Sequence, residues 1–228
     1  MRSSMTDHTR PPEVWLYFAL AFVGGYGDAA SVVLAKTFTG HVTGSLVLAA
    51  IAVAAHKWSP LVAHLSAVLF FLVGVISSVL IERALAAWPF FKSLPTVLST
   101  EVILTMIAYL AFASRAATRV EVFVVCMSLA LGLQNGAFQR TGGISVHTTY
   151  LTGMITSLIT TEAKRPQIMS TRDPKLNLLY GIWLAFFVGG AIGAAMAFKF
   201  KEIGILGTTF LLLMILIYRI RKRESLSN

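Results

Sequence analysis

The chain has 228 residues, is 56% hydrophobic and only 13% charged, and carries a formal net charge of +9. A soluble globular domain carries about 25% charged residues, so this composition excludes one and points to a bilayer as solvent. The basic residues fall between apolar runs and at the two ends, notably Arg219, Arg221, Lys222 and Arg223. That is the distribution of topology signals and lipid-headgroup contacts rather than of a nucleic-acid surface, and no nucleic-acid partner is expected.

In chain order, Met1 to Glu13 is polar and ends in Pro11-Pro12. The apolar run Val14–Leu34 that follows is too long for a signal-peptide core and reads as a retained first helix. Further spans are expected over Leu61–Ile81, Pro95–Ala113, Val120–Ala137, Leu176–Phe198 and Ile203–Ile220. Each approaches the roughly 20 residues that cross a hydrocarbon core about 30 Å thick. Two shorter apolar segments, Thr43–Ala55 and His147–Thr160, each follow a polar, Gly- and Thr-rich break. Trp15, Trp58, Trp88 and Trp183 stand near segment ends, where amphipathic rings favour the headgroup boundary. Gly40/Gly44, Gly132/Gly136 and Gly189/Gly193 have the spacing that lets helix backbones approach closely in lipid. The lone cysteine, Cys126, lies in an apolar run and reads as a small buried residue.

The chain is expected to be a single polytopic membrane domain, 1–228, with an internal repeat over approximately 14–113 and 120–220. Asp28 running to Thr43-Gly44 is echoed by Asn135 running to Thr152-Gly153, and the Phe70-Phe71-Leu72-Val73-Gly74 stretch by Phe186-Phe187-Val188-Gly189-Gly190. If the two short segments are re-entrant, there are about six spans and the repeats are inverted. If they cross, there are eight spans and the repeats are parallel. The excess of Lys and Arg puts both termini in the cytoplasm and gives the same balance either way. Segments of about 13 residues fall short of the roughly 17 needed to cross, which favours six.

Asp28 is the outstanding residue, a carboxylate within an apolar run beside Gly24, Gly25 and Gly27. Such a group faces a bundle interior or wet cavity, or caps backbone groups at the break that follows. Gly25-Tyr26-Gly27-Asp28 also fits the GxGD pattern of intramembrane aspartyl proteases. That chemistry needs a second carboxylate. Asp7 and Asp173 lie in polar segments and Glu101 is the sole other acid well inside an apolar run. With no Ser-His-Asp arrangement or phosphate cradle either, the chain is not expected to be an enzyme. Thr43-Gly44 and Thr152-Gly153 read as starts of short helices, with Thr capping free N–H groups and Gly admitting a ligand. Gln134 and Asn135 take the place of Gly27 and Asp28 in the second half, which leaves one ionisable group facing neutral amides. His41, Glu101, Arg140 and His147 are second-rank candidates. No spacing resembles a metal site, and neither metal nor cofactor is expected.

At Gly27-Asp28-Ala29, Thr43-Gly44, Leu131-Gly132-Leu133-Gln134-Asn135 and Thr148-Thr149-Tyr150-Leu151-Thr152-Gly153, the sequence resembles the YoaK-like family of bacterial membrane proteins. The resemblance covers essentially the whole chain and implies six spans in the bacterial inner membrane, with no assigned function. The sequence departs at His41-Val42-Thr43-Gly44-Ser45, where the family pattern resembles Asn-Met-Thr-Gly-Asn. The functional expectation is a transporter or permease for a small polar solute, an organic anion among them, with Asp28 facing Gln134 and Asn135 at midplane. The alternatives are a structural or accessory membrane protein and an ion channel. The expected surroundings are the lipid bilayer and an unknown small-molecule or ion substrate, with a homo-oligomer as a further possibility.

Overall fold

A computed structural model describes residues 14–86, 93–114, 116–137, 140–141, 144–145 and 174–227, with a few helical positions between 153 and 163. The fold is all-α: α1 (Val14–Ala35), α2 (Val42–Ala54), α3 (Trp58–Ala86), α4 (Ser93–Ala113), α5 (Arg119–Ala137), α6 (Pro174–Phe200) and α7 (Leu206–Ser227). A 3-10 turn, Lys201–Ile205, joins α6 to α7. A two-residue ladder after α5 pairs Arg140 with Ser145 and Thr141 with Ile144. The N-terminal segment, Trp88 and most of His147–Thr160 lie outside the described residues.

The expected spans are all helical, with shifts at several of their ends. α3 starts at Trp58, earlier than expected, because Pro60 falls in its first turn, where a missing N–H breaks no helical bond. The last helix starts at Leu206 rather than Ile203. The apolar stretch Asn177–Lys222 is 46 residues long, about twice what one span needs. It turns back at Lys201–Ile205, where Lys201 takes a left-handed φ of 51°.

α2 is only 13 residues long, too short to cross. α1 ends as Lys36 turns to a φ of 57°, and α2 ends with His56 at 54°. At the second end the N–H of His56 bonds the carbonyl of Val53 and that of Lys57 reaches back to Ala52, closing the last turn.

Contacts fix the helix directions. Along α1 and α6, Phe18 meets Gly181, Phe22 meets Gly189 and Tyr26 meets Gly193, so these two run parallel. Phe71 meets Gly132 and Ser78 meets Gly136, so α3 and α5 are parallel as well. Gly27 lies against Met127 whereas Leu20 is bonded by Gln134, so α1 and α5 are antiparallel. It follows that α3 runs opposite to α1, and α2 returns the chain to the face it came from. A crossing α2 would have made them parallel. Leu98 clusters with Leu212, Ile215 and Leu216 while Thr105 meets Thr209, so α4 and α7 are antiparallel. Among the described residues the six long helices therefore alternate in direction, with α2 re-entrant.

More than half of the span windows of α1 and α5 is buried inside the protein, against 28% for α3 and α4. α1 and α5 form the centre, and the others present side chains such as Leu69, Ile76, Leu110, Phe187 and Phe210 outward. In water that would be costly; in a bilayer it is the outer surface. Two tight seams hold the bundle. A side chain at Gly25 would strike the Phe186 carbonyl and one at Gly189 the Phe22 carbonyl. In the other seam a side chain at Gly132 would strike the Phe71 carbonyl and one at Gly74 the Leu129 carbonyl. The spacings Gly132/Gly136 and Gly189/Gly193 serve this close approach. Gly44 instead packs on the ring of Phe38 within its own break, as a local contact.

Candidate functional site

The break between α1 and α2 is built on Asp28. Its side chain is 5% exposed, and its Oδ1 accepts the N–H groups of Thr39 and Gly40, each at 2.7 Å. The Nδ1–H of His41 donates to Oδ2 at 2.5 Å, since a carboxylate can only accept. These three donors draw the Lys36–Gly40 segment back alongside α1 and set His41 in the N-cap position of α2, with φ −120°. Asp28 thus stands at the N-terminal end of α2, where the helix dipole favours negative charge. The Ser31 hydroxyl donates to the Gly27 carbonyl and accepts from Thr39, and the Ser45 hydroxyl donates to the Phe38 carbonyl. Thr37 lies 3.0 Å from Nδ1 of His64, which ties the break to α3. His41 is 29% exposed, and its ring meets Phe38 and Phe186 edge-on, the latter on α6.

Several expectations change here. Thr43 does not cap α2: it lies in the first turn, exposed, while His41 holds the cap position. The cause is that Asp28 grips the segment by its backbone three and four residues earlier, and by the His41 side chain two residues earlier. Gln134 is fully buried and donates from Nε2 to the Leu20 carbonyl. Leu20 lies eight residues, about 12 Å along the axis, from Asp28. Asp28 and Gln134 are therefore not brought face to face, because the helices that carry them are antiparallel and each residue sits towards the end of its own. Asn135 is half-buried on α5. Glu101 is 1% exposed on α4, in the bundle interior, and is not among the hydrogen-bond partners of Asp28. Gly153 is helical and half-buried, and Arg140 contributes backbone pairing in the short ladder. His147 and Thr152 lie outside the described residues.

Sequence reasoning missed Ser31, Thr37, Thr39 and His64. Ser31 was the most accessible of them, since it follows Asp28 by three positions and shares its helix face. Tyr26, inside the glycine run, was also missed; its hydroxyl bonds the Gly204 carbonyl at 2.7 Å and pins the turn between α6 and α7 to α1. No local signal announces a partner 178 positions away.

The family described as "Protein of unknown function (DUF1275)" matches residues 16–218. The protein printed as "UPF0700 transmembrane protein YoaK" from Bacillus subtilis (strain 168) is 30% identical over 129 residues, covering 55% of this chain and 56% of that relative. The match thus spans little more than half the length of the relative. No solved structure matches. With the family match running over nearly all of the helical bundle, the chain belongs to the DUF1275 family of proteins of unknown function, a YoaK-like multi-pass membrane protein.

Proposed function

We propose that the protein is a carrier for a small polar solute, built from two inverted three-span repeats and working by alternating access. The observation that carries this reading is the buried Asp28 holding a re-entrant break between α1 and α2, with His41 half-open beside it. Broken helices with a charged residue at the break are the usual construction of a solute site in a repeat-built transporter.

The repeat reading draws on the contacts as well as the motifs. One constant offset carries Leu20, Phe22, Gly25 and Gly27 onto Met127, Leu129, Gly132 and Gln134. A second carries Phe71 and Gly74 onto Phe186 and Gly189. Under these offsets the Gly25–Phe186 contact becomes Gly132–Phe71, and Gly27 against Met127 becomes Gln134 against Leu20. The first helix of each half thereby packs on the second long helix of the other. The halves are not equally closed: α4 lies along much of α5, while α7 meets α1 over a shorter stretch. That inequality is what an inverted-repeat carrier exchanges between its inward and outward states.

The solute class follows from what the break offers. Asp28 already fills the N-terminal end of α2, so a solute meets an imidazole–carboxylate pair rather than a bare helix terminus. This suits a neutral or cationic polar solute better than the organic anion expected from sequence. On this reading both termini lie in the cytoplasm, and the membrane is the cytoplasmic membrane of a bacterium. A cysteine at Ser114, in a Cys126→Ala background, then labels from outside; protection there overturns the orientation.

The decisive test is a thermal-shift screen of purified protein against amines, sugars, nucleobases, organic acids and inorganic ions. A ligand at a hundred times its dissociation constant adds about 2.7 kcal/mol. The expected hit is lost in Asp28→Asn and weakened in His41→Phe. If Asp28→Asn, Thr43→Val and Thr152→Val all leave uptake of that solute unchanged, the site is wrong.

A further inference from the structure

The bundle interior holds a second acid that the Asp28 break does not use. Glu101 lies near the middle of α4, three residues after Leu98 and four before Thr105, so all three share one helix face. Leu98 packs among Leu16, Leu20 and Val23 of α1 and Leu212, Ile215 and Leu216 of α7. Thr105 accepts a hydrogen bond from the Thr209 hydroxyl of α7 at 2.9 Å. Glu101 between them lies on the face that α4 turns towards α7. It is 1% exposed, and its Oε1 has no hydrogen-bond partner among the described residues. The Thr208 hydroxyl, next to Thr209 and packed near Gly27, is buried and likewise without one.

The titratable groups on the surrounding elements are engaged or placed elsewhere. On α1, Tyr17 sits at the edge of the leucine cluster, and Asp28 is bonded into the break. On α5, Cys126 packs with Phe123 and Ala108, and Arg119 and Glu121 lie in its first turn. His64 of α3 contacts Thr37. Lys201 and Glu202 lie in the 3-10 turn, and Tyr218 and Arg219 lie beyond the leucine cluster on α7. Among the described residues no cation is within ion-pair distance of Glu101. An ionised carboxylate in such a place loses its hydration with nothing to replace it, at a cost of several kcal/mol. The neutral acid fits.

We propose that Glu101 is a proton-binding site of the carrier. It takes a proton from water on one side when α4 and α7 part, holds it as a carboxylic acid in the packed state, and returns it to water on the other side. On uptake an O–H bond of hydronium breaks as that of the acid forms, and on release the proton passes back to water. The inference rests on the carrier reading for its purpose, but its chemistry is measurable without a known solute.

The experiment is infrared spectroscopy of the protein in a lipid film, perfused with buffers of rising pH and then with deuterium oxide. The wild type is expected to show the carbonyl stretch of a protonated carboxylic acid at about pH 7, where an ordinary glutamate with a pKa of about 4.3 is ionised. That band fades as pH rises, shifts in deuterium oxide, and is lost in Glu101→Gln while Asp28→Asn retains it. Glu101→Asp, which keeps an acid, moves the band and serves if the glutamine variant fails to fold. A wild type without the band, or a band unchanged in either Glu101 variant, overturns the proposal. So does a band that neither fades by about pH 10 nor exchanges, which would mark a permanently neutral structural acid. Failure of the Asp28 variants to alter uptake would sink the solute site and leave this band untouched, so the two ideas fail separately.

Discussion

Along the α1/α6 seam, Gly25 and Gly189 each lie against a backbone carbonyl of the opposite helix; along the α3/α5 seam, Gly132 and Gly74 do the same. The polar residues towards the ends of the two inner helices differ. At the end of α1 a carboxylate grips three donors of a re-entrant break, whereas towards the end of α5 an amide, Gln134, spans to the Leu20 carbonyl. Packing in lipid asks the same of both seams, because without a hydrophobic force between helices close approach and dispersion must supply the association. Chemistry makes no such demand for symmetry. The contrast sets a carboxylate in α1 against an amide in α5.

The largest effects test the shared part. Gly25→Leu and Gly132→Leu each drive a side chain into a backbone carbonyl, and each is expected to cost about 3 kcal/mol or more, enough to remove most folded protein. Size-exclusion profiles in detergent report it, and a monodisperse product from one variant alone would break the equivalence of the seams. The next effect separates the ends. Asp28→Ala leaves the N–H groups of Thr39 and Gly40 without their acceptor, at about 3 kcal/mol. Asn135→Ala is expected to cost only about 1 kcal/mol, the scale of one interhelical polar contact in a membrane. Equal losses in denaturant titrations would erase the distinction between charged and neutral ends.

Asp28→Asn sharpens this further. It keeps an oxygen for the two backbone donors but sets an NH2 group opposite His41 in place of the accepting, charged Oδ2, so a loss of about 1 kcal/mol is expected. A loss as large as that of the alanine variant would mean that the charge, rather than the acceptor, holds the break. Smallest of all is Thr209→Val, which removes the bond to Thr105 between α4 and α7; membrane precedents put it at about 0.6 kcal/mol. A midpoint change too small to resolve is compatible with that; a collapse of the protein is not.

Hydropathy and length determined the spans, the shortness of α2 and the membrane setting, because the bilayer imposes one requirement on every crossing helix: an apolar surface about 30 Å long with its backbone bonded internally. The glycine spacings and the isolated carboxylate were visible for the same reason, as departures from that rule. Length favoured six spans over eight, but the charge pattern could not choose between them, since the basic residues balance equally in both. Only the contacts that make α1 antiparallel to α5 and α5 parallel to α3 decided it. Nor could the sequence show that Asp28 reaches forward to Thr39, Gly40 and His41 while Gln134 stays about 12 Å away at Leu20. Which polar residues meet depends on helix direction and register, and these are set by side-chain packing between segments far apart in the chain, which hydropathy does not record.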